Sequence, residues 1–269
     1  YNSDGSFDTS FGPGYGFADY NASYALGFKP TVLSNGNIAV VGYAPGSGAI
    51  SMFKANWCTT CSAGSDIALT SGFTYPTNIQ YANFQATSLT DQNSVAVLGL
   101  TLRDGGASAN DDDLAPTFLN SITLSLTNSS AIRRIALFDG ATKLSEVAGS
   151  ASVTFSGLNI TANDNASKNF TVRVSYITGV TDNSQNQLTI TSTTTGEGGS
   201  TMSQSNAGGA QSSLSGDDNR IEVIANRVRF IAQPTNVEAG AIQASSTVEA
   251  IDANNNRDLD FTGSITVSN

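Results

Sequence analysis

The chain has 269 residues, a formal net charge of −10, no histidine and only 13% charged residues. It therefore lacks the side chain most used for acid–base chemistry near neutral pH, and the commonest nitrogen ligand for metals. Its basic residues are scattered, which excludes the electrostatic footprint of a nucleic-acid or anionic-membrane binder, and no run reaches the ~18 apolar residues of a membrane-spanning helix.

In place of charge the chain carries Ser, Thr, Asn and Gly between short Val/Ile/Leu runs, with 39% hydrophobic residues. That is enough apolar material for packed cores, and the composition predicts an all-β, extracellular protein. Residues 1–56 form a first segment. Asn35-Gly36, a strong hairpin signal, precedes the apolar run 37–42, and 49–54 is a second strand. Tyr and Phe cluster in residues 1–28, from Tyr1 and Phe7 to Tyr24 and Phe28. Core packing is the first reading of that cluster and a sugar-stacking platform the second.

Residues 57–75 read as a linker that contains Cys58 and Cys61, a lone CxxC. A redox site needs a βαβ context and a zinc site needs further ligands. A local disulfide or two free thiols is the remaining reading, and a bridge across so short a loop adds little stability. Residues 76–218 carry strand patterns at 80–86, 95–102, 121–126, 134–138, 142–147, 152–155, 169–176 and 187–193. Asp139-Gly140, Asp164-Asn165 and Asp182-Asn183 supply turns. Short strands at this spacing predict a β-sandwich module. The Gly-rich stretch 196–218 reads as a loop or linker. Residues 219–269 show strand patterns at 220–225, 228–231, 245–251 and 263–267, half of a second immunoglobulin-like module.

Several stretches resemble known families. Tyr1-Asn2-Ser3-Asp4-Gly5-Ser6-Phe7-Asp8-Thr9-Ser10-Phe11-Gly12 and Leu33-Ser34-Asn35-Gly36-Asn37-Ile38-Ala39-Val40-Val41-Gly42 resemble one delta-60 repeat of secreted bacterial β-propeller-like proteins. One such unit cannot bury its own faces, so 1–56 is expected to be a propeller-like repeat fragment in an internal segment of a longer chain. Leu137-Phe138-Asp139-Gly140-Ala141-Thr142-Lys143, Asn219-Arg220-Ile221-Glu222-Val223 and Arg229-Phe230-Ile231-Ala232-Gln233-Pro234 resemble modules of very large Bacteroidetes surface proteins. The stretch Ala250-Ile251-Asp252 through Phe261-Thr262-Gly263 does so too. This resemblance implies export by type IX secretion and a cell-surface location outside the outer membrane. It implies a role in adhesion or gliding motility, and as partners other modules of the same chain, the secretion or gliding machinery, and surface glycans.

Two acidic loops are candidates for Ca²⁺. In 104–113, Asp104, Asp111, Asp112 and Asp113 flank Gly105 and Gly106, and a flexible loop with four carboxylates can fold around a hard cation that takes six to eight oxygens. The alternative is a solvated hairpin tip. Asp252, Asn254, Asn256, Asp258 and Asp260 are spaced like part of an EF-hand. The loop has Arg257 where that motif needs Gly, and Gly263 where it needs Glu. No nucleophile–base pair stands out, so the expected function is non-enzymatic, structural and adhesive. A carbohydrate-binding or accessory module of a secreted hydrolase is the alternative.

Overall fold

The computed structural model describes residues 26–32, 38–43 and 50–55 as paired strands, and 64–108, 111 and 113–266 in full. The chain divides into two compact units, Tyr1–Thr59 and Thr60–Asn269.

In the first unit β1 (Leu26–Val32), β2 (Ile38–Tyr43) and β3 (Ile50–Ala55) form an antiparallel sheet in sequence order. β2 and β3 coincide with the two expected runs. β1 carries Pro30, and its pairing with β2 slips between Phe28 and Thr31, where proline offers no N–H.

The second unit is all-β and is built on two sheets. The strands are β4 (Asp66–Leu69), β5 (Ile79–Gln80), β6 (Val95–Arg103), β7 (Thr117–Leu126), β8 (Ile132–Asp139), β9 (Thr142–Ala148), β10 (Ser152–Ala162), β11 (Ser167–Tyr176), β12 (Leu188–Thr195), β13 (Ile221–Glu222), β14 (Arg227–Ala232) and β15 (Thr247–Ile251). One sheet has the order β4-β6-β11-β8-β9 and the other β10-β7-β12. Leu98, Leu100, Ile135, Leu137, Val172 and Val174 from the first, and Ile122, Leu124, Phe155 and Ile190 from the second, meet in one core. This is the period-2 alternation expected of two half-buried sheets facing each other.

The alternation changes phase where a bulge absorbs one or more residues. On β7, Leu119 and Ile122 both point inward although three positions apart, because Asn120 is skipped in the register with β12. On β10 the change falls between Ser156 and Ile160, at Gly157 (φ +67) and Asn159 (φ +53).

Outward positions of the β10-β7-β12 sheet align in rows of hydroxyls. Ser152, Ser125 and Thr189 form one row. Thr154, Thr123 and Ser192 form the next, and Ser156, Ser121 and Thr194 the third. The outer face of the five-stranded sheet is different. It carries the ion pairs Arg103–Asp66, Arg134–Glu146 and Lys143–Glu146, and a small apolar cluster of Leu89, Ala136 and Phe138 under the loop before β6. Arg173 lies over the Phe138 ring, 5.7 Å from its centre.

Three sequence expectations change here. Residues 66–69, read as linker, are strand β4, a run too short to show a period. Residues 80–86, read as a strand, are the end of β5 and a 3₁₀ turn, Tyr81–Asn83. Residues 196–218, read as a flexible loop from their glycines, close the open side of the two sheets. Ile190 N–H donates to Ala210 O at 3.0 Å and Thr193 N–H to Ser205 O at 2.7 Å, covering the β12 edge. Ile67 N–H donates to Ala207 O at 2.9 Å, covering the β4 edge. Ser200, Ala207 and Ser212 are buried. Unpaired strand edges are hazards that proteins cover, and this segment covers two.

The expected boundary at residue 219 falls inside this body. β13 pairs in parallel with β5, and Ile221 and Val223 are fully buried in the same core. Beyond it β14 and β15 form a two-stranded hairpin. Residues 263–266, expected to begin a last strand, are not in one.

At the corner where the chain leaves one sheet for the other, between β9 and β10, a Cβ on Gly149 would stand 2.2 Å from the Ile132 carbonyl oxygen. Gly149→Ala is therefore expected to destabilise by about 1–3 kcal/mol through overpacking. Gly179→Ala, where a Cβ meets open space, should stay within about 0.5 kcal/mol of the parent. Urea unfolding of both variants checks the contrast.

Candidate metal centre

Asp104 follows β6 directly, and Gly105 (φ +68) and Gly106 (φ +67) turn the chain there. A Cβ on Gly106 would lie 2.4 Å from the Gly64 carbonyl oxygen, so the turn needs glycine. The turn drives Asp104 inward, and it is fully buried. One carboxylate oxygen accepts the Thr117 hydroxyl at 2.5 Å and the other the Asn165 N–H at 2.8 Å. The Thr117 and Ser65 hydroxyls lie 2.7 Å apart, so a buried polar chain runs from Asp104 to the start of β4.

Asp104, Asp111 and Asp164 each place a carboxylate oxygen within 4.8 Å of the others. Two oxygens on opposite sides of a Ca²⁺ ion, each about 2.3–2.6 Å from it, are about 5 Å apart at most. The spacing fits such an ion, and the donor set is the hard-oxygen type it takes. Burial raises the Asp164 carboxyl above its ordinary range, and the charges of Asp104 and Asp113 raise it further. Asp113 has a second task. It accepts the Ala115 N–H at 2.6 Å and the Ser200 hydroxyl at 3.1 and 3.0 Å, fastening the loop to the segment that closes the sheets.

Of the four loop carboxylates expected to converge, the structure thus brings Asp104 and Asp111 together. It adds Asp164 from the β10–β11 turn and places Asp113 close enough to act on Asp164. Asp112 lies outside the described residues. The solvated-tip alternative does not describe Asp104. Asp164 was missed as a member because it lies far away in sequence; its one signal was the Asp164-Asn165 turn pair. Cys58 and Cys61 lie outside the described residues, as do the aromatic side chains of residues 1–28.

The second acidic loop is used differently from the EF-hand reading. The Tyr81 hydroxyl, itself buried, donates to the Asp252 carboxylate. Asn254 and Asn256 amides donate to the Tyr81 oxygen at 2.7 and 2.6 Å. Asp252 also accepts the N–H groups of Asn254 and Asn256 at 2.8 and 2.9 Å. Asp252, Asn254 and Asn256 thus dock the loop onto the sheet body. Asp258 and Asp260 instead approach Asp182, within 4.8 Å. Asp182 is buried and accepts the Val223 and Leu259 N–H groups at 2.8 and 2.7 Å.

No protein-family model matches the chain, and no curated protein matches it either. The resemblances to delta-60 repeats and to Bacteroidetes surface modules rest on the quoted residues.

Two outcomes test these loops. Millimolar Ca²⁺ is expected to raise the melting temperature of the chain relative to chelator. The stabilisation is about 2.7 kcal/mol at a hundredfold excess over Kd. Asp111→Asn should remove the rise, and an unchanged transition in the parent would assign the loop to a hydrogen-bonded cap alone.

The second outcome concerns pH. Burial pushes the Asp252 carboxyl up, but the hydrogen bonds from Tyr81, Asn256 and Asn254 outweigh it and hold Asp252 below its ordinary range. Its contribution is therefore present above about pH 4 and lost as pH falls through the lowered folded value. Burial, then the bond to Asp252, pushes the Tyr81 phenol up to about 12. Its contribution is lost as pH rises from about 10 through that value. Tyr81→Phe should cost about 1–3 kcal/mol near neutral pH and flatten both arms of a stability–pH curve measured by urea unfolding.

Proposed function

We propose that this chain is a non-enzymatic, load-transmitting segment of a large secreted cell-surface protein with an adhesive role in gliding motility. The observation that carries this reading is the way the hairpin β14–β15 leaves the sheet body. Its base is held by Arg227, which donates to the Asp252 and Ala253 carbonyls at 3.2 and 3.1 Å and to the Asn255 side chain at 2.9 Å. Asp252 in turn is clamped to Tyr81, and Asp182 holds Leu259. The hairpin is thereby fixed to the module rather than strung on a linker.

The hairpin also presents unburied apolar side chains. Val228, Phe230 and Ile231 are all more than two-fifths exposed, and Ile242 is 98% exposed. A two-stranded sheet is marginal alone and gains stability from further strands or a packed face. These features support reading the chain from β14 onward as part of an immunoglobulin-like module, and the molecule as one stretch in a series of modules. The sheet in residues 26–55 fits a propeller-like repeat in the same way, because its strands follow one another in a meander. An extracellular location outside the outer membrane, reached by type IX secretion, belongs to the same proposal.

The test has two arms. Beads coated with the full chain are expected to adhere to surfaces presenting glycans or to the parent cells. A screen of esterase, peptidase and glycosidase substrates is expected to show no turnover. Turnover abolished by a single point substitution would overturn the proposal in favour of a hydrolase.

A further inference from the structure

The corner where β13 passes into the β14–β15 hairpin collects oxygens that the fold leaves without donors. Three segments meet there: the β11–β12 loop with Asp182 and Asn183, the end of β13 with Glu222, and the loop after β15 with Asp258 and Asp260. Asp182, Asp258 and Asp260 each place a carboxylate oxygen within 4.8 Å of the others. Glu222 stands beside them. Burial raises its carboxyl above the ordinary range, and the charges of Asp260, Asp182 and Asp258 raise it further against the opposing pull of Arg220.

Backbone N–H groups hold this cluster together but do not saturate it. Asp182 is only 3% exposed and accepts the Val223 N–H on one oxygen and the Leu259 N–H on the other. Asp258 accepts the Ala225 N–H on Oδ2 at 2.9 Å. Its Oδ1 is buried and accepts no hydrogen bond, and the same holds for Glu222 Oε2 and Asn183 Oδ1. Asn183 is tied to the corner by its N–H, which donates to the Ile221 carbonyl at 2.9 Å. All three orphaned atoms are acceptors. Buried acceptors without donors are rare because they are costly, and an ion or water is the usual explanation.

Arg220 is the guanidinium at this corner, and it does not meet the need. Its ion pairs are with Asp217, Glu222 and Asp260, and its Nη2 stands 3.6 Å from Glu222 and 3.9 Å from Asp260, beyond hydrogen-bond distance. Its Nε donates to Asn78 at 2.9 Å. Four carboxylates thus face one distant positive charge.

We propose that this corner is a second divalent-cation site, with Ca²⁺ held by Asp182, Asp258 and Asp260 and further oxygens supplied by Glu222 and Asn183. Carboxylate oxygens within 4.8 Å of one another can share an ion whose bonds are about 2.3–2.6 Å long. An irregular set of carboxylates and an amide oxygen suits Ca²⁺, which takes six to eight oxygens in flexible geometry, better than Mg²⁺, which demands a near-ideal octahedron. Water completes the shell on the side of Asp260, which is exposed. The ion ties the β11–β12 loop, β13 and the loop after β15 to one point and so fixes the base of the hairpin. The site shares no residue with the Asp104 centre and does not depend on the adhesive reading.

The test uses the full chain, stripped with chelator and titrated with Ca²⁺ alone, with amide hydrogen exchange read residue by residue. Val223, Ala225 and Leu259 report on this corner because their N–H groups bond to Asp182 and Asp258, whereas Asn165 reports on the Asp104 centre. Ca²⁺ is expected to slow exchange at the first three with a midpoint of about 0.1–1 mM, the range of extracellular modules. Asp260→Asn should move that midpoint about tenfold higher, because affinity follows ligand charge, and should leave exchange in chelator and the response of Asn165 as in the parent. Asp258→Asn, whose amide oxygen can still accept the Ala225 N–H, is the second variant and should act in the same way. Unchanged exchange at Val223, Ala225 and Leu259 up to ~10 mM Ca²⁺, well above that range, would overturn the proposal and leave the corner to buried water. An equal midpoint in the parent and Asp260→Asn would overturn it too.

Discussion

Two sheets buried against each other leave a problem at every margin, and the margins explain most of this molecule. The core needs only alternating apolar residues, and they are supplied in long regular runs. At the rims, however, strand edges and turn carboxylates must either face water or find partners. Here the long segment 196–218 satisfies the edges of β4 and β12 with backbone hydrogen bonds, and its Ser200 hydroxyl is tied to Asp113. Stability at the rim thus rests on polar groups whose partners come from distant parts of the chain, because a buried donor or acceptor left alone costs more than a made bond returns.

The buried aspartates follow from the same constraint. Asp104, Asp182 and Asp252 are each less than one-tenth exposed. Asp104 and Asp182 accept backbone N–H groups from distant segments of the chain, and Asp252 accepts those of Asn254 and Asn256 in its own loop. An acidic side chain in this role is a template on which a turn is wound, and its charge is spread over several short bonds. The same arrangement at Asp104 draws in Asp111 and Asp164, where accumulated negative charge makes a hard cation a fitting partner. At Asp252 the phenol of Tyr81 and two amides complete the shell with protein donors. One chemistry serves two ends, and the difference is whether neighbouring acids or neighbouring donors fill the remaining space.

The two faces of the sheet body diverge just as clearly. The five-stranded sheet gathers the ion pairs and a small second core, while the three-stranded sheet is tiled with Ser and Thr. Solvent would tolerate either pattern, so stability alone does not require the segregation. It gives the sheet body one neutral face and one charged face.

The sequence by itself determined the all-β class, most strands of the second unit and the turns between them, because alternation and Asp-Gly or Asp-Asn pairs are local signals. β6, β7, β8, β9, β10 and β11 each contain a run visible in the residue pattern, and β12 takes up its run from Leu188 onward. Tertiary structure decided what has no local signature. β4 is strand because β6 offers it a partner, and Tyr81 sits in a turn because its hydroxyl is needed at Asp252. The glycine-rich stretch 196–218 is ordered because two open edges draw its backbone in. The candidate metal centre was half legible: Asp104 and Asp111 share a loop, but Asp164 joins them only when the β10–β11 turn folds back. Composition marks which residues can carry such chemistry, and only long-range pairing places them within a few ångströms of one another.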